Sequence, residues 1–328
     1  MTAMTYARLG RSGAMVSAIG LGCLGFGDPG RGAHNWTLRE DEATSLLRHA
    51  VELGINFFDT ANVYSAGHSE EILGAAVAEY CRRDEVVIAT KVHGEMGPGP
   101  NEWGLSRKHI IWQVEQSLRR LGTDYIDLYQ VHRWDGNTPL EETLQTLDQL
   151  VRDGKVRYLG ASSMYAWQFA KALFLQEQHG WAPFVTMQDH YNLLYREEER
   201  EMLPLCADRG ISALPYSPLA RGRLARPWGA RTARQDFDEQ GYELYRGNEE
   251  TDRRIVDAVG NVAEGLGATR AQVALAWVLA NPVVTAPLIG ATAAAHLDEN
   301  IKALEIRFTE EEYAVLEEAY RPRPVVGF

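Results

Sequence analysis

The chain of 328 residues has only three cysteines, Cys23, Cys81 and Cys206, and none stands in a CxxC or CxH spacing. An odd count without a pairing framework excludes a disulfide scaffold and fits a reducing, cytoplasmic compartment. Positive charge is also scarce. Against 45 acidic residues stand 33 Lys and Arg, a formal net charge of −12; nucleic acid and anionic membrane surfaces both call for a basic face, so neither is an expected partner. Long apolar runs are missing too. Ala14 to Gly27 is broken by Gly20, Gly22 and Gly25 and lacks a small-residue cleavage site. Ala271 to Gly290 is divided by Gln272, Asn281, Pro282 and Pro287, and reads as a helix followed by a short strand. No low-complexity linker and no exact repeat appears.

What is present is a rhythm. Eight short apolar runs end in a polar residue or a glycine, at Gly22, Asp59, Lys91, His132, Ser162, Gln188, Tyr216 and Gly290. Most ends lie 26 to 41 residues apart, the length of a βα unit. The gap of 74 residues from Tyr216 to Gly290 must hold an insertion, and the Arg/Gly/Asp-rich segment 221–248 reads as a long loop after the seventh strand. Helical patterns fill the intervals. Glu42 to Leu53 is closed by Gly54, Arg107 to Leu121 is capped by Ser106 and stopped by Gly122, and Leu140 to Arg152 is opened by Pro139. Eight buried strands alternating with helices predict an α/β fold, a (β/α)₈ TIM barrel, as a single domain over residues 1–328. Before the first strand, Tyr6 to Leu9 and Ala14 to Ser17 read as a β-hairpin capping the barrel bottom.

GLGCLG at Gly20 and GFGDPG at Gly25 both match the dinucleotide fingerprint GxGxxG. That motif works only where the glycines open a helix that receives a pyrophosphate. Asp28-Pro29-Gly30-Arg31-Gly32 follows instead, which cannot be helix, so the match carries no Rossmann domain.

In a (β/α)₈ barrel the C-terminal strand ends meet at one rim, where active sites are built. Asp59, Lys91 and His132 end the second, third and fourth strands, and Tyr64 hangs from the loop after the second. Singly, a strand-end Asp is usually a cap and a lone His a core residue; four such groups converging on one rim are not explained that way. Their chemistry is complementary. An ammonium beside a phenol favours phenolate and should lower its pKa from near ~10, while a carboxylate holds the ammonium in place. An imidazole can donate to an oxygen that gains negative charge. Together these suit protonation of an alkoxide formed as hydride reaches a carbonyl carbon, and since the chain supplies no hydride, a nicotinamide cofactor is implied.

FFDTANVY, ATKV, LYQVHRWD, GASS and PYSPLARG stand in the order and approximate spacing of the aldo-keto reductase family, which the chain resembles along nearly its whole length. MQDHYNLLYREEEREMLPLC, Met187 to Cys206, and SPLARGRLARPWG, Ser217 to Gly229, look most like a bacterial branch of it. The resemblance implies Tyr64 as general acid, Lys91 and Asp59 as its tuning pair, and His132 as the substrate-orienting group. It further implies that Asp59 contacts the nicotinamide ribose, with Gly22 nearby, and that Ser162, Ser163 and Gln188 bind the carboxamide. Tyr216 would stack on the nicotinamide. Ser217, Leu219 and Gly222 would belong to a loop over the pyrophosphate, with Arg221 or Arg223 near its charge. Gly290, Thr292, His296, Glu299 and Asn300 would wrap the adenosine phosphate and adenine.

The sequence departs from the family in that last loop. Relatives commonly place Arg or Lys beside a Ser or Thr there, whereas Thr292 is followed by Ala293, Ala294 and Ala295, with His296 where Gln or Arg is usual. NADPH is expected to be favoured over NADH, but less strongly than where a charged partner is present. Trp36 and Trp134, with His34 and Tyr191, are candidates to line a substrate pocket for a small-molecule carbonyl. The alternative function is a cofactor-binding regulatory protein like the potassium channel beta subunits, which share the fold. Against it, nothing here resembles a long basic or inactivating N-terminal extension. A metal-dependent hydrolase is disfavoured, since Lys91 stands where a ligand would be wanted and His93, His190 and His296 lack ligand spacing, so no metal is expected. REEERE, Arg196 to Glu201, reads as a solvated helix start. Oligomeric state is not legible.

Overall fold

The computed structural model describes residues 2–32, 35–230 and 243–327. His34 and the middle of the segment 221–248 lie outside the described residues. Strands β1 (Tyr6–Arg8) and β2 (Met15–Ser17) pair antiparallel, as the hairpin pattern predicts. Eight further strands form one parallel sheet: β3 (Gly20–Gly22), β4 (Phe57–Asp59), β5 (Val87–Val92), β6 (Ile126–Val131), β7 (Val156–Ser162), β8 (Phe184–Gln188), β9 (Ser212–Ala213) and β10 (Leu288–Ile289). Their order is β10-β3-β4-β5-β6-β7-β8-β9. The two ends of that list meet. Leu288 N–H donates to the Pro215 carbonyl at 2.8 Å and Thr285 N–H to that of Ala213 at 3.0 Å, with bridges Ala213 to Val284 and Tyr216 to Leu288. The sheet closes into a (β/α)₈ barrel.

Helices α1 (Glu40–Glu52), α2 (His68–Tyr80), α3 (Arg107–Leu121), α4 (Leu140–Arg152), α5 (Ala166–His179) and α6 (Met202–Arg209) follow successive strands. Their ends obey local chemistry. Ser106 Oγ accepts from His109 N–H at the start of α3, and Gly122 ends it in the left-handed conformation. After β9 come α7 (Glu249–Leu266) and α8 (Arg270–Leu279), then α9 (Ala294–Ile301) after β10 and α10 (Glu310–Glu317). Much of the long interval before Gly290 is thus helical. No helix among the described residues is long and apolar enough to cross a membrane.

Two local expectations need correcting. The seventh strand ends at Ala213 and not at Tyr216, because Pro215 has no N–H for the ladder; Tyr216 rejoins the rim through bridges to His190 and Leu288. REEERE is not a solvated helix start. It holds a 3₁₀ turn, Glu197–Glu199, with Glu197 and Glu198 buried. Glu197 accepts from the Tyr320 hydroxyl at 2.6 Å and Arg323 N–H at 2.9 Å, tying the C-terminal segment to the barrel. That partner lies more than a hundred residues away, so the charge run alone could not reveal it.

Strand alternation sorts side chains into two layers. Phe57, Val87, Ala89 and Leu128 face the barrel interior, while Phe58, Ile88 and Tyr129 pack outward under the helices. The hairpin supplies Leu9 and Val16 to the interior cluster, completing its floor. Gly10 makes the close approach possible: it sits at φ +57°, and a Cβ there would collide with the Val185 carbonyl. Above this floor the same inward register continues through Asp59, Lys91, Gln130 and His132.

Because Leu9 is fully buried in the floor, Leu9→Ala should lower unfolding stability by roughly 2–5 kcal/mol. Urea denaturation measures this; a loss below about 1 kcal/mol would mean that the hairpin only rests against the barrel.

Candidate active site

Strands β4 to β8 carry inward polar groups at their rim ends, above the apolar floor. Asp59 and Lys91 are buried, and Lys91 Nζ lies 2.5 Å from Asp59 Oδ1. The same nitrogen donates to the Thr60 carbonyl at 2.8 Å and reaches the Tyr64 hydroxyl at 3.3 Å. An ammonium has three N–H donors, and here each has an acceptor. Burial disfavours the charged amine, but Asp59 and then the Tyr64 oxygen outweigh it, holding the lysine pKa above its usual range.

Tyr64 is positioned by backbone strain. Ser65 and Ala66 adopt φ +47° and +52°, a left-handed turn that non-glycine residues enter at a cost of about 1 kcal/mol or more each. Ser65 is buried, its Oγ 3.4 Å from the Phe26 carbonyl, so the β3 loop clamps the turn. The phenol pKa is raised, contrary to the lowering expected from an adjacent ammonium. Burial is the largest influence, Lys91 opposes it, and Asp59 adds to it. The ammonium therefore softens the rise without reversing it. Phenol, not phenolate, is the resting form.

The His132 ring meets that of Tyr64 edge-on, with centroids 5.7 Å apart. Burial, then the charges of Lys91 and Arg133, hold its pKa well below the ordinary histidine value. It is a neutral imidazole, with one N–H to donate. Among the described residues no group of three or more His, Cys, Asp or Glu side chains could hold a metal.

A row of polar groups continues across the mouth. Gln188 Nε2 donates to Asp59 Oδ2 at 2.9 Å, so its amide hydrogens turn inward and leave Oε1 as the atom with capacity to spare. Ser162 Oγ donates to the Gln188 carbonyl at 2.9 Å and lies 3.2 Å from Ser163 Oγ; both serines are buried. Tyr216 stacks on His190 at 5.3 Å, and His190 stacks on Tyr195 at 4.4 Å, so the half-exposed Tyr216 caps a column of rings. From Ser217 to Gly222 the backbone turns left-handed repeatedly, at Ser217, Ala220, Arg221 and Gly222. Within the loop the Ala220 and Gly222 amides close turns on the Ser217 and Leu219 carbonyls, each at 2.9 Å. Leu219 anchors the loop in the core beneath it.

The Thr292 loop is exposed. Ala293 stands at the N-cap of α9 without a side chain to cap it, leaving the first amides open. His296 folds back, its Nδ1 3.4 Å from both the amide and the hydroxyl of Thr292. Asn300 is buried behind the loop, and Glu299 lends its carbonyl to Gln272. A cleft of about 340 Å³ opens beside Thr292 to Ala294, lined on its other wall by α1 residues including Arg48 and Glu52. Gly22 ends β3 next to Asp59; Gly290 follows β10 at the exposed edge of the mouth.

Of the aromatic candidates, Trp36 packs over Gly25 on the β3 loop, and Trp134 lies 6.1 Å from the exposed ring of Trp167. Tyr191 is elsewhere. It is buried against Trp277, with its hydroxyl on Glu199, in the cluster under α7 and α8. Residues that sequence reasoning missed are Trp167, Thr60 and Gln130. Only Gln130 carried a signal, as an amide inside the apolar run LYQV.

The description "Aldo/keto reductase family" matches residues 18–321. Versiconal hemiacetal acetate reductase of Aspergillus parasiticus is 43% identical, with 98% of each chain covered. An aldo-keto reductase of Alternaria alternata is 41% identical over 98% of this chain and 93% of its own. A putative aryl-alcohol dehydrogenase of Saccharomyces cerevisiae is 38% identical over 98% of this chain and 99% of its own. These relatives are fungal and lend no support to the bacterial branch that two motifs resemble. A closed barrel, an acid, amine, phenol and imidazole at one rim, and end-to-end similarity to oxidoreductases converge: the chain belongs to the aldo/keto reductase family.

Proposed function

We propose that the protein reduces aldehydes or ketones to alcohols with NADPH, ahead of NADH, and that Tyr64 is the general acid. The observation that carries this reading is the Lys91 ammonium, shared among Asp59, the Thr60 carbonyl and the Tyr64 hydroxyl beside a neutral His132. Bound reduced nicotinamide supplies the hydride. The residues present fit such a cofactor: buried polar groups at Ser162 and Gln188, a half-exposed ring at Tyr216, the turned backbone from Ser217 to Gly222, and uncapped amides after Thr292.

His132 donates its N–H to the carbonyl oxygen and polarises it. As negative charge gathers there, the Tyr64 hydroxyl gives up its proton, and the Lys91 N–H stabilises the phenolate left behind. Asp59 keeps the ammonium in place throughout. Trp36 and Trp134, extended outward by Trp167, favour aromatic or extended carbonyls, in keeping with the relative named as an aryl-alcohol dehydrogenase. Free thiols at all three cysteines support a cytoplasmic setting, and the chain reads as one domain.

Tyr64→Phe should lower turnover of an aromatic aldehyde by several orders of magnitude, roughly 10²–10⁴-fold or more, while NADPH affinity stays within about threefold. Comparable turnover in the variant, followed by loss of nicotinamide absorbance, would remove Tyr64 from the chemistry; tight NADPH binding without turnover in wild type would favour a regulatory protein. For the cofactor, affinities of NADPH and NADH are compared in wild type and His296→Gln. The His296 ring beside Thr292 can donate to a phosphate, so the variant should lose part of the NADPH preference. An identical NADPH/NADH ratio in both proteins would exclude His296 as that partner.

A further inference from the structure

Gln130 lies fully buried one residue before the C-terminal end of β6, directly across the sheet from Lys91 and two residues before His132. A buried amide costs free energy unless it is hydrogen-bonded, so its place in an apolar strand requires partners. Its Nε2 donates to Asp59 Oδ2 at 2.9 Å. Gln188 Nε2 donates to the same oxygen at 2.9 Å and stands 3.4 Å from Gln130 Oε1. An ionised carboxylate only accepts, so both glutamines must point their NH₂ groups at Asp59. One carboxylate oxygen is thus gripped by two amides while the other faces Lys91.

Room for this arrangement is built in. Gly160 on β7 pairs with Gln130, and a Cβ at position 160 would fall 2.9 Å from Gln130 Cγ and collide with Thr186 Oγ1. The absent side chain leaves the channel along which Gln130 reaches Asp59.

We propose that Gln130 is a positioning residue for proton transfer: with Gln188 it locks the rotation of the Asp59 carboxylate, so that Oδ1 is held on Lys91 and the ammonium is held on the Tyr64 hydroxyl. Gln130 acts through Asp59 and touches neither Lys91 nor Tyr64 in its hydrogen bonds. The inference rests on the reductase reading given above. Titratable or charged groups facing this cluster are Asp59 and Tyr64 from β4 and its following turn, Cys23 after β3, and His132 and Arg133 after β6. Asp59 is the one anion among them that favours the ammonium at rest, so turning it away would let Lys91 lose its proton at lower pH.

The test compares wild type with Gln130→Met, which keeps volume without a donor, and Gln130→Glu, which keeps shape. Three quantities are measured: the pH dependence of kcat and KM for NADPH oxidation by an aromatic aldehyde, the NADPH affinity, and a crystal structure of each variant. Gln130→Met should cut kcat about tenfold or more, with KM and NADPH affinity within about threefold, and move the alkaline limb to lower pH by about one unit. Its crystal structure should show Asp59 turned off Lys91. Gln130→Glu should be impaired at pH 8 and regain much of its rate near pH 6, where a protonated Glu can again donate to Asp59. A merely structural glutamine would give no such acid-side rescue. Wild-type kcat and pH profile in Gln130→Met, or an Asp59–Lys91 contact retained in its structure, overturns the proposal. Should wild type itself fail to turn over any aldehyde, the reductase reading falls, and the Asp59 rotamer in the two variant structures still decides the positioning claim. If Gln130→Met does not fold, the pH response and structure of Gln130→Glu decide it.

Discussion

A buried ion pair between Asp59 and Lys91 is the constraint on which the rest of the structure turns. Two charges taken out of water are tolerated only where each is paired and its remaining hydrogen-bonding capacity is met; removing one partner of such a pair costs about 3–5 kcal/mol. Here the ammonium has a carboxylate, a carbonyl and a phenol, and the carboxylate has the ammonium and two amides. That requires five side chains from four strands and one turn to converge at one depth. Parallel register does this: Asp59 lies beside Ala89, two residues below Lys91, and Lys91 lies beside Gln130. The apolar floor below, completed by Leu9 and Val16 of the hairpin, keeps these groups in a medium where their attractions count.

The same setting fixes the protonation states on which the proposed chemistry draws. Burial outweighs the ammonium at Tyr64 and leaves a protonated phenol. At His132, burial and two cations act in the same direction and leave a neutral ring. In the proposed reduction, an acid that begins with its proton and a donor that begins uncharged would match an oxygen whose charge rises only during reaction.

Much of this was legible in the residues. Apolar runs ending at Asp59, Lys91 and His132 placed three groups on adjacent strands, because a two-residue period and a repeated βα length follow from local geometry. The hairpin, α3 with Ser106 and Gly122, and α4 after Pro139 were legible for the same reason. What escaped depends on tertiary burial or long-range partners. Counting charges predicted a lowered phenol at Tyr64, since desolvation has no sequence signature. Glu197 looked solvated until Tyr320 and Arg323 closed over it, and Tyr191 looked like a rim residue until its ring was found against Trp277. The left-handed turn after Tyr64 has no glycine at Ser65 or Ala66 to announce it. Fold and family leave function open in principle, since one barrel hosts many activities, and the weight therefore rests on the protonation states at the rim.

The most direct measurement of that account is the rate constant for hydride transfer from NADPH to an aromatic aldehyde, followed in single turnovers from pH 6 to 10.5 in wild type and Lys91→Met. A phenol held above its ordinary value near ~10 stays protonated through the neutral range, so the wild-type rate should remain flat to about pH 9 and fall only beyond. Lys91→Met should be slower by several orders of magnitude with NADPH affinity little changed, because the forming phenolate then has no ammonium beside it. A wild-type rate that falls between pH 7 and 8, or a Lys91→Met rate within tenfold of wild type, would contradict the account.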